Sequence, residues 1–173
     1  MTEQKKSLDR EKPPVCAFRS FYRPKALVLA AGFSSRMGRC KALLDLKGLS
    51  ALERTVKSLR EGGIEEIVVV TGHYRNEVEQ ETFRLRCRAA FNESYERGMF
   101  SSIRRGIEAL DNASAFLLLP VDVPLVSPAT IRTLLEAHEK GVDLAYPTFL
   151  GRRGHPPLVG RRFFKAILDG DGS

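Results

Sequence analysis

Ala26-Leu27-Val28-Leu29-Ala30-Ala31-Gly32-Phe33-Ser34-Ser35-Arg36-Met37-Gly38-Arg39-Cys40-Lys41 is the stretch that decides the fold of this chain. Its apolar run, Ala26 to Ala31, stops at a glycine, as suits a buried strand of a parallel sheet. The loop that follows is rich in Gly and Ser and closed by cations: Gly32, Ser34, Ser35, Arg36 and Gly38, then Arg39 and Lys41. Glycine lets backbone N–H groups approach an anion, and Arg and Lys supply countercharge, so the segment predicts a phosphate loop. The Walker spacing fails, because five residues separate Gly32 from Gly38 and Arg39 follows. The dinucleotide spacing fails too, because Ser34 stands where its second glycine belongs. The competing reading is a polar surface loop with incidental charge.

Downstream, helical and extended patterns alternate. A helix is expected from Leu49 or Ser50 to Gly62-Gly63, with Leu52, Val56 and Leu59 on one face, after an extended piece at 43–46. Ile64 to Thr71 predicts a strand. A helix capped by Asn76 and running to Phe83 follows, then a strand at Arg88 to Phe91. Another helix is expected from Ser101 or Ser102, then an apolar strand at Ala115 to Leu119. Ser127-Pro128 signals a helix start. A fifth strand is expected at Asp143 to Tyr146, a loop or ribbon at 151–160, and a short helix at 162–168. Such alternation predicts a three-layer α/β domain with a largely parallel sheet, spanning 24–173. In such sheets ligands lie at the carboxyl ends of the strands, which gathers the Gly32 loop, the Asn92 turn and the segment after Leu119. Residues 1–23, broken by Pro13-Pro14, read as a tail or linker without chemistry.

The chain has 173 residues, a formal net charge of +7 and 43% hydrophobic residues, which suits one domain with a proper core. Its basic balance favours anionic ligands. Short clusters such as Arg84 to Arg88 lack interleaved aromatics and argue against nucleic acid. The three cysteines, Cys16, Cys40 and Cys87, are widely spaced and form no zinc or redox pair. No apolar run is long enough for a membrane span, and no signal peptide is legible, so the expected location is cytoplasmic.

One carboxylate, Asp122, stands at the end of the 115–119 strand between Pro120 and Pro124. Magnesium needs only one or two carboxylates when phosphates and water complete its shell. Facing a phosphate loop, Asp122 is a candidate metal ligand; alone, it could equally cap a turn. His73 and His138 read as structural.

The order Leu29-Ala-Ala-Gly32, Ser35-Arg-Met-Gly38, Lys41 resembles the signature of the MobA-like NTP transferases. Within them it looks most like the molybdenum cofactor cytidylyltransferases. The resemblance covers about 25–173. It implies a Rossmann-like nucleotidyltransferase fold and transfer of a nucleoside monophosphate from an NTP to a phosphate-bearing acceptor. The implied substrates are an NTP and a molybdopterin-type acceptor, with Mg2+ as cofactor and a molybdoenzyme or its chaperone as partner. By the same resemblance Asp122 holds the magnesium, Arg36 and the loop hold the β and γ phosphates, and Lys41 offsets charge on the α-phosphate. Ala30-Ala31-Gly32 leans to CTP rather than GTP. Asn92, Gly98 and Ser101 match the family's Asn…Gly…Ser segment, for ribose, base or a further anion. The alternative is that Asn92 makes a turn and Ser101 a cap. Gly154-His155-Pro156 resembles an acceptor-side loop. Cys40 departs from the family's Pro or small polar residue; Arg39 and Lys41 beside it would suit a lowered thiol pKa, and the competing and favoured reading is an ordinary loop cysteine. Members also carry a later Asp-rich turn with a second metal ligand, which is not legible before Ser173. Rival readings are a sugar-phosphate nucleotidylyltransferase and a non-catalytic nucleotide- or cofactor-binding regulator.

Overall fold

The computed structural model describes residues 23–34 and 38–170. The N-terminal segment up to residue 22 and the positions of Ser35 and Arg36 lie outside the described residues. Arg23 belongs with the domain: its guanidinium pairs with Glu65 at 2.8 Å and its carbonyl accepts from Ser114 N–H.

Eight strands, five α-helices and three short 3-10 turns occur among the described residues. In chain order they are β1 (Lys25–Leu29), α1 (Ala51–Glu61), β2 (Ile67–Thr71), α2 (Arg75–Arg84), β3 (Arg88–Phe91) and α3 (Met99–Glu108). Then come β4 (Ala115–Pro120), α4 (Pro128–Glu139), β5 (Leu144–Ala145), β6 (Thr148–Phe149), β7 (Arg152–Arg153), β8 (Leu158–Gly160) and α5 (Phe164–Asp169). The central sheet runs β3-β2-β1-β4-β8-β5, and β6 and β7 form a separate hairpin. β3, β2, β1 and β4 are parallel, whereas β8 is antiparallel to both β4 and β5.

Alternation along β1 divides the core. Ala26 and Val28 pack on the side of α1, α2 and α4, with Leu52, Val56, Leu59, Val78 and Ile131. Leu27 and Leu29 pack on the opposite side, with Ile107 of α3 and Phe164 of α5. All of β1 is buried because both faces carry helices, and after Lys25 it is a continuous apolar run. Burying one such Leu or Val contributes roughly 1.5–3 kcal/mol, and β1 sits at the centre of both layers. Ser50 caps α1, accepting from Glu53 N–H at 3.0 Å, and Gly62 ends it.

Four expectations need correction. Tyr74, not Asn76, is the N-cap of α2, and Asn76 lies within its first turn. α3 starts at Met99, because Gly98, with φ of +91°, turns the chain into the helix before either serine. The extended piece at 43–46 is a 3-10 turn over Lys41–Leu43 followed by a lone bridge between Asp45 and Ser50. The 151–160 ribbon supplies β8, which enters the central sheet between β4 and the expected fifth strand.

Candidate nucleotide site

The three strands at the sheet centre end close together. Ala30 N–H donates to Val70 O at 2.9 Å, His73 N–H to Ala31 O at 3.1 Å, and Val121 N–H to Leu29 O at 3.0 Å. Beyond these bonds the backbone leaves the sheet, and a cleft of about 330 Å³ opens. It lies where the strand order reverses, between β1 with its loop and β4.

Ala30, Ala31, Gly32, Ser34, Lys41, Gly98 and Asp122 all line this cleft. No atom lies within 4 Å of where a Cβ on Gly32 would stand, so packing within the protein does not demand glycine there. Ser34 adopts a left-handed φ of 51°, and its Oγ accepts from Lys41 N–H at 3.1 Å. Gly38, also left-handed at φ +60°, stands in the loop between these two and is exposed. Lys41 then opens the 3-10 turn, and its Nζ reaches Asp122 Oδ2 at 3.6 Å. Val123 N–H donates to Pro120 O at 3.0 Å, a tight turn that holds Asp122 at the end of β4. Its side chain is 53% exposed, so an oxygen remains open to a ligand.

No group of three or more His, Cys, Asp or Glu side chains suited to a metal occurs among the described residues. The donor chemistry nonetheless fits a magnesium ion that arrives with phosphates: one carboxylate at a strand end, in a cleft with room for water. Asp122 would hold it.

Asn92 and Ser101 are placed differently. Asn92 is 4% exposed, and its Nδ2 donates to Ser101 Oγ at 2.9 Å and Ser102 Oγ at 3.0 Å. Its Oδ1 accepts from Ser94 N–H at 3.0 Å. The Ser101 hydroxyl in turn lies 2.8 Å from Gly98 O. Both residues border a neighbouring hollow with Arg97 and Arg104, and neither lines the cleft of Asp122. Ser102, behind them, does line it. His155 is exposed, outside the cleft lining. A larger hollow of about 630 Å³ at the amino ends of the strands, lined by Glu65, Glu66 and His138, is far from the glycine loop in topology.

Among the lining residues that escaped the sequence reading are two aromatics, Phe33 and Tyr95. Phe33 is an apolar residue inside an otherwise polar loop, a signal visible in the sequence; Tyr95 gives none. The reactive-thiol reading of Cys40 is reversed, which leaves the ordinary loop cysteine. Burial pushes its thiol up, with Glu77 adding to the shift, while bonds from the Ala42 and Leu43 backbone only partly oppose it. Burial opposes the thiolate more than the Ala42 and Leu43 backbone donors favour it.

A family model described as the MobA-like NTP transferase domain matches residues 26–173. The bifunctional IPC transferase and DIPP synthase of Rubrobacter xylanophilus is 41% identical over 116 residues, covering 64% of this chain and 26% of that protein. Nicotine blue oxidoreductase of Paenarthrobacter nicotinovorans is 33% identical, covering 77% of this chain and 69% of its own length. The chain thus spans about a quarter of the first relative and about two thirds of the second. Among solved structures, a nucleotidyl transferase from Methanothermobacter thermautotroptrophicus superposes with a TM-score of 0.71. It is 28% identical, with 87% of this chain and 78% of that chain covered. No helix among the described residues is long and apolar enough to cross a membrane.

Proposed function

We propose, since this chain belongs to the MobA-like NTP transferase domain family, that it moves a nucleoside monophosphate from an NTP to a phosphate-bearing acceptor. CTP is the nucleotide favoured by Ala30-Ala31-Gly32, and a molybdopterin-type phosphate is the acceptor favoured by the sequence signature. The observation that carries this reading is the meeting of Lys41 Nζ and Asp122 Oδ2, 3.6 Å apart, in a glycine-lined cleft at the carboxyl ends of β1 and β4.

The chemistry asks for position and charge. An oxygen of the acceptor phosphate bonds to the α-phosphorus while the bond from that phosphorus to the oxygen linking the α- and β-phosphates breaks, and pyrophosphate leaves with that oxygen. The attacking acceptor oxygen is already ionised at neutral pH, so no general base is required. Loop N–H groups from Gly32 onward bind the outer phosphates. Lys41 balances charge that grows around the α-phosphorus. Magnesium, when bound at Asp122, supplies charge stabilisation to the leaving pyrophosphate. The protein's share of such a transfer is mostly alignment of the two phosphates.

A second reading, a module that binds a nucleotide or cofactor without nucleotidyl transfer, draws on the likeness to a protein named as an oxidoreductase and not as a transferase. One assay separates them: pyrophosphate release from CTP and magnesium with molybdopterin as acceptor. Steady release supports the transferase. Tight CTP binding without release, across acceptors bearing a phosphate monoester, supports the binding module.

A further inference from the structure

The walls of the cleft differ in chemistry. One carries the charges of Lys41 and Asp122. Another carries the aromatic rings of Phe33 and Tyr95, backed by His73 and Tyr74, which do not themselves line the cleft. Phe33 follows β1, His73 and Tyr74 follow β2, and Tyr95 follows β3. Ring centroids lie 5.2 Å apart for Phe33 and Tyr95, 5.0 Å for Phe33 and His73, and 4.7 Å for His73 and Tyr74. His73 and Tyr95 close the group at 6.0 Å.

The cluster is anchored from behind. His73 N–H is bonded to Ala31 O at 3.1 Å, and Tyr95 is fixed in a 3-10 turn closed by Gly98 N–H on its carbonyl at 3.2 Å. Phe33, in front, remains 42% exposed, and both Phe33 and Tyr95 line the cleft. An apolar ring held by other rings and left open to water gains when a flat surface covers it. Because the rings are already positioned, covering them costs little ordering.

We propose that Phe33 and Tyr95 form a stacking wall for the base of the nucleotide. The assignment rests on the transferase reading above, which places the phosphates against the charged wall. The remaining flat part of the same ligand is its base, and stacking tolerates any base because each has a π-face. Phe33 and Tyr95 therefore set the strength of nucleotide binding, while discrimination between bases falls to polar groups elsewhere in the cleft.

Calorimetry on the full chain, with magnesium, tests this using CTP, GTP and inorganic triphosphate. Phe33→Ala and Tyr95→Ala should each weaken CTP and GTP about tenfold, from the usual strength of one base–ring stack, and leave inorganic triphosphate unchanged. Tyr95→Phe keeps the ring and should keep CTP affinity. The chain has four tyrosines and no tryptophan, so tyrosine emission provides a second readout. CTP should quench part of it in the parent and not in Tyr95→Phe. Unchanged CTP affinity in both alanine variants overturns the stacking wall, as does equal loss of CTP and triphosphate. A parent protein that binds neither ligand overturns the transferase reading, and the wall with it.

Discussion

The hydroxyl of Ser34 accepts the backbone N–H of Lys41 at 3.1 Å, so the glycine loop is closed on itself before any ligand arrives. The bond spans seven residues and orients the start of the 3-10 turn that carries Lys41. Ser34→Ala removes it without touching the core. One neutral hydrogen bond is worth about 1 kcal/mol, or roughly a fivefold weaker Kd for CTP. Calorimetry should show that loss; equal CTP affinity in Ser34→Ala would remove the loop closure from the binding account.

Lys41→Ala tests the cation itself. Its contact with Asp122 is between half-exposed groups and contributes little to stability. Binding is another matter, because a charge-assisted phosphate contact is worth about 1.5–3 kcal/mol. CTP affinity should fall accordingly in Lys41→Ala. Lys57→Ala, on α1 beside Glu61 at 3.9 Å, should bind CTP as the parent does. Matching isotherms for the two variants would argue against the phosphate role.

Asp122→Asn keeps the shape and one oxygen while removing the charge. The fold should survive, since the side chain is half exposed and buries no partner. Pyrophosphate release should drop by several orders of magnitude, with magnesium-dependent CTP binding reduced less. Turnover close to the parent's would take the carboxylate out of metal binding.

Cys40 lines the cleft with its thiol pushed up by burial. The thiolate is the reactive form, so alkylation of Cys40 should be slow at neutral pH and climb only in the alkaline range, above the ordinary thiol pKa of about 8.5. CTP with magnesium should slow it further by covering the cleft. Peptide mass spectrometry after timed iodoacetamide exposure gives the rate at Cys40 itself; fast labelling at pH 7 that does not rise with pH would contradict the burial effect.

Gly106 concerns stability alone. A Cβ there would stand 2.6 Å from Leu27 Cδ2 and 2.8 Å from Cγ, and Leu27 is fully buried in β1. Alanine in a helix gains about 1 kcal/mol over glycine. Overpacking a tight core costs about 1–3 kcal/mol, and here α3 would be pushed off the central strand. The clash should win, so Gly106→Ala lowers Tm by several degrees. A higher Tm would mean that Leu27 has room to repack.

The layered fold was legible because β1, β2 and β4 are buried on both faces and show it as apolar runs, while Ser50 and Ser127 mark helix starts as caps. β8 escaped because Leu158–Gly160 is short and ends in glycine, so it has no period to detect. At the site, Gly32, Lys41 and Asp122 were singled out by residue type as suited to phosphate and metal, and the fold brings all three to one cleft. Tyr95 could not: its place in the cleft is fixed by a turn after β3 and by distant rings, a tertiary fact without local spacing. Asn92 carried the right residue type, yet its amide is fully engaged by Ser94, Ser101 and Ser102.

The insertion of β8 between β4 and β5 also sets an order of assembly on the ribosome. β1, β2, β3 and β4 can zip together once residue 120 has emerged, since their ladders need nothing later. β5 emerges next and has no neighbour to pair with, because its sheet partner is β8, more than ten residues farther along. Until residue 160 clears the exit tunnel, β4 keeps an open edge at Ala115 to Leu117, the stretch β8 later covers. A nascent chain paused in that interval displays an apolar edge strand, the form most prone to pair with a neighbouring chain.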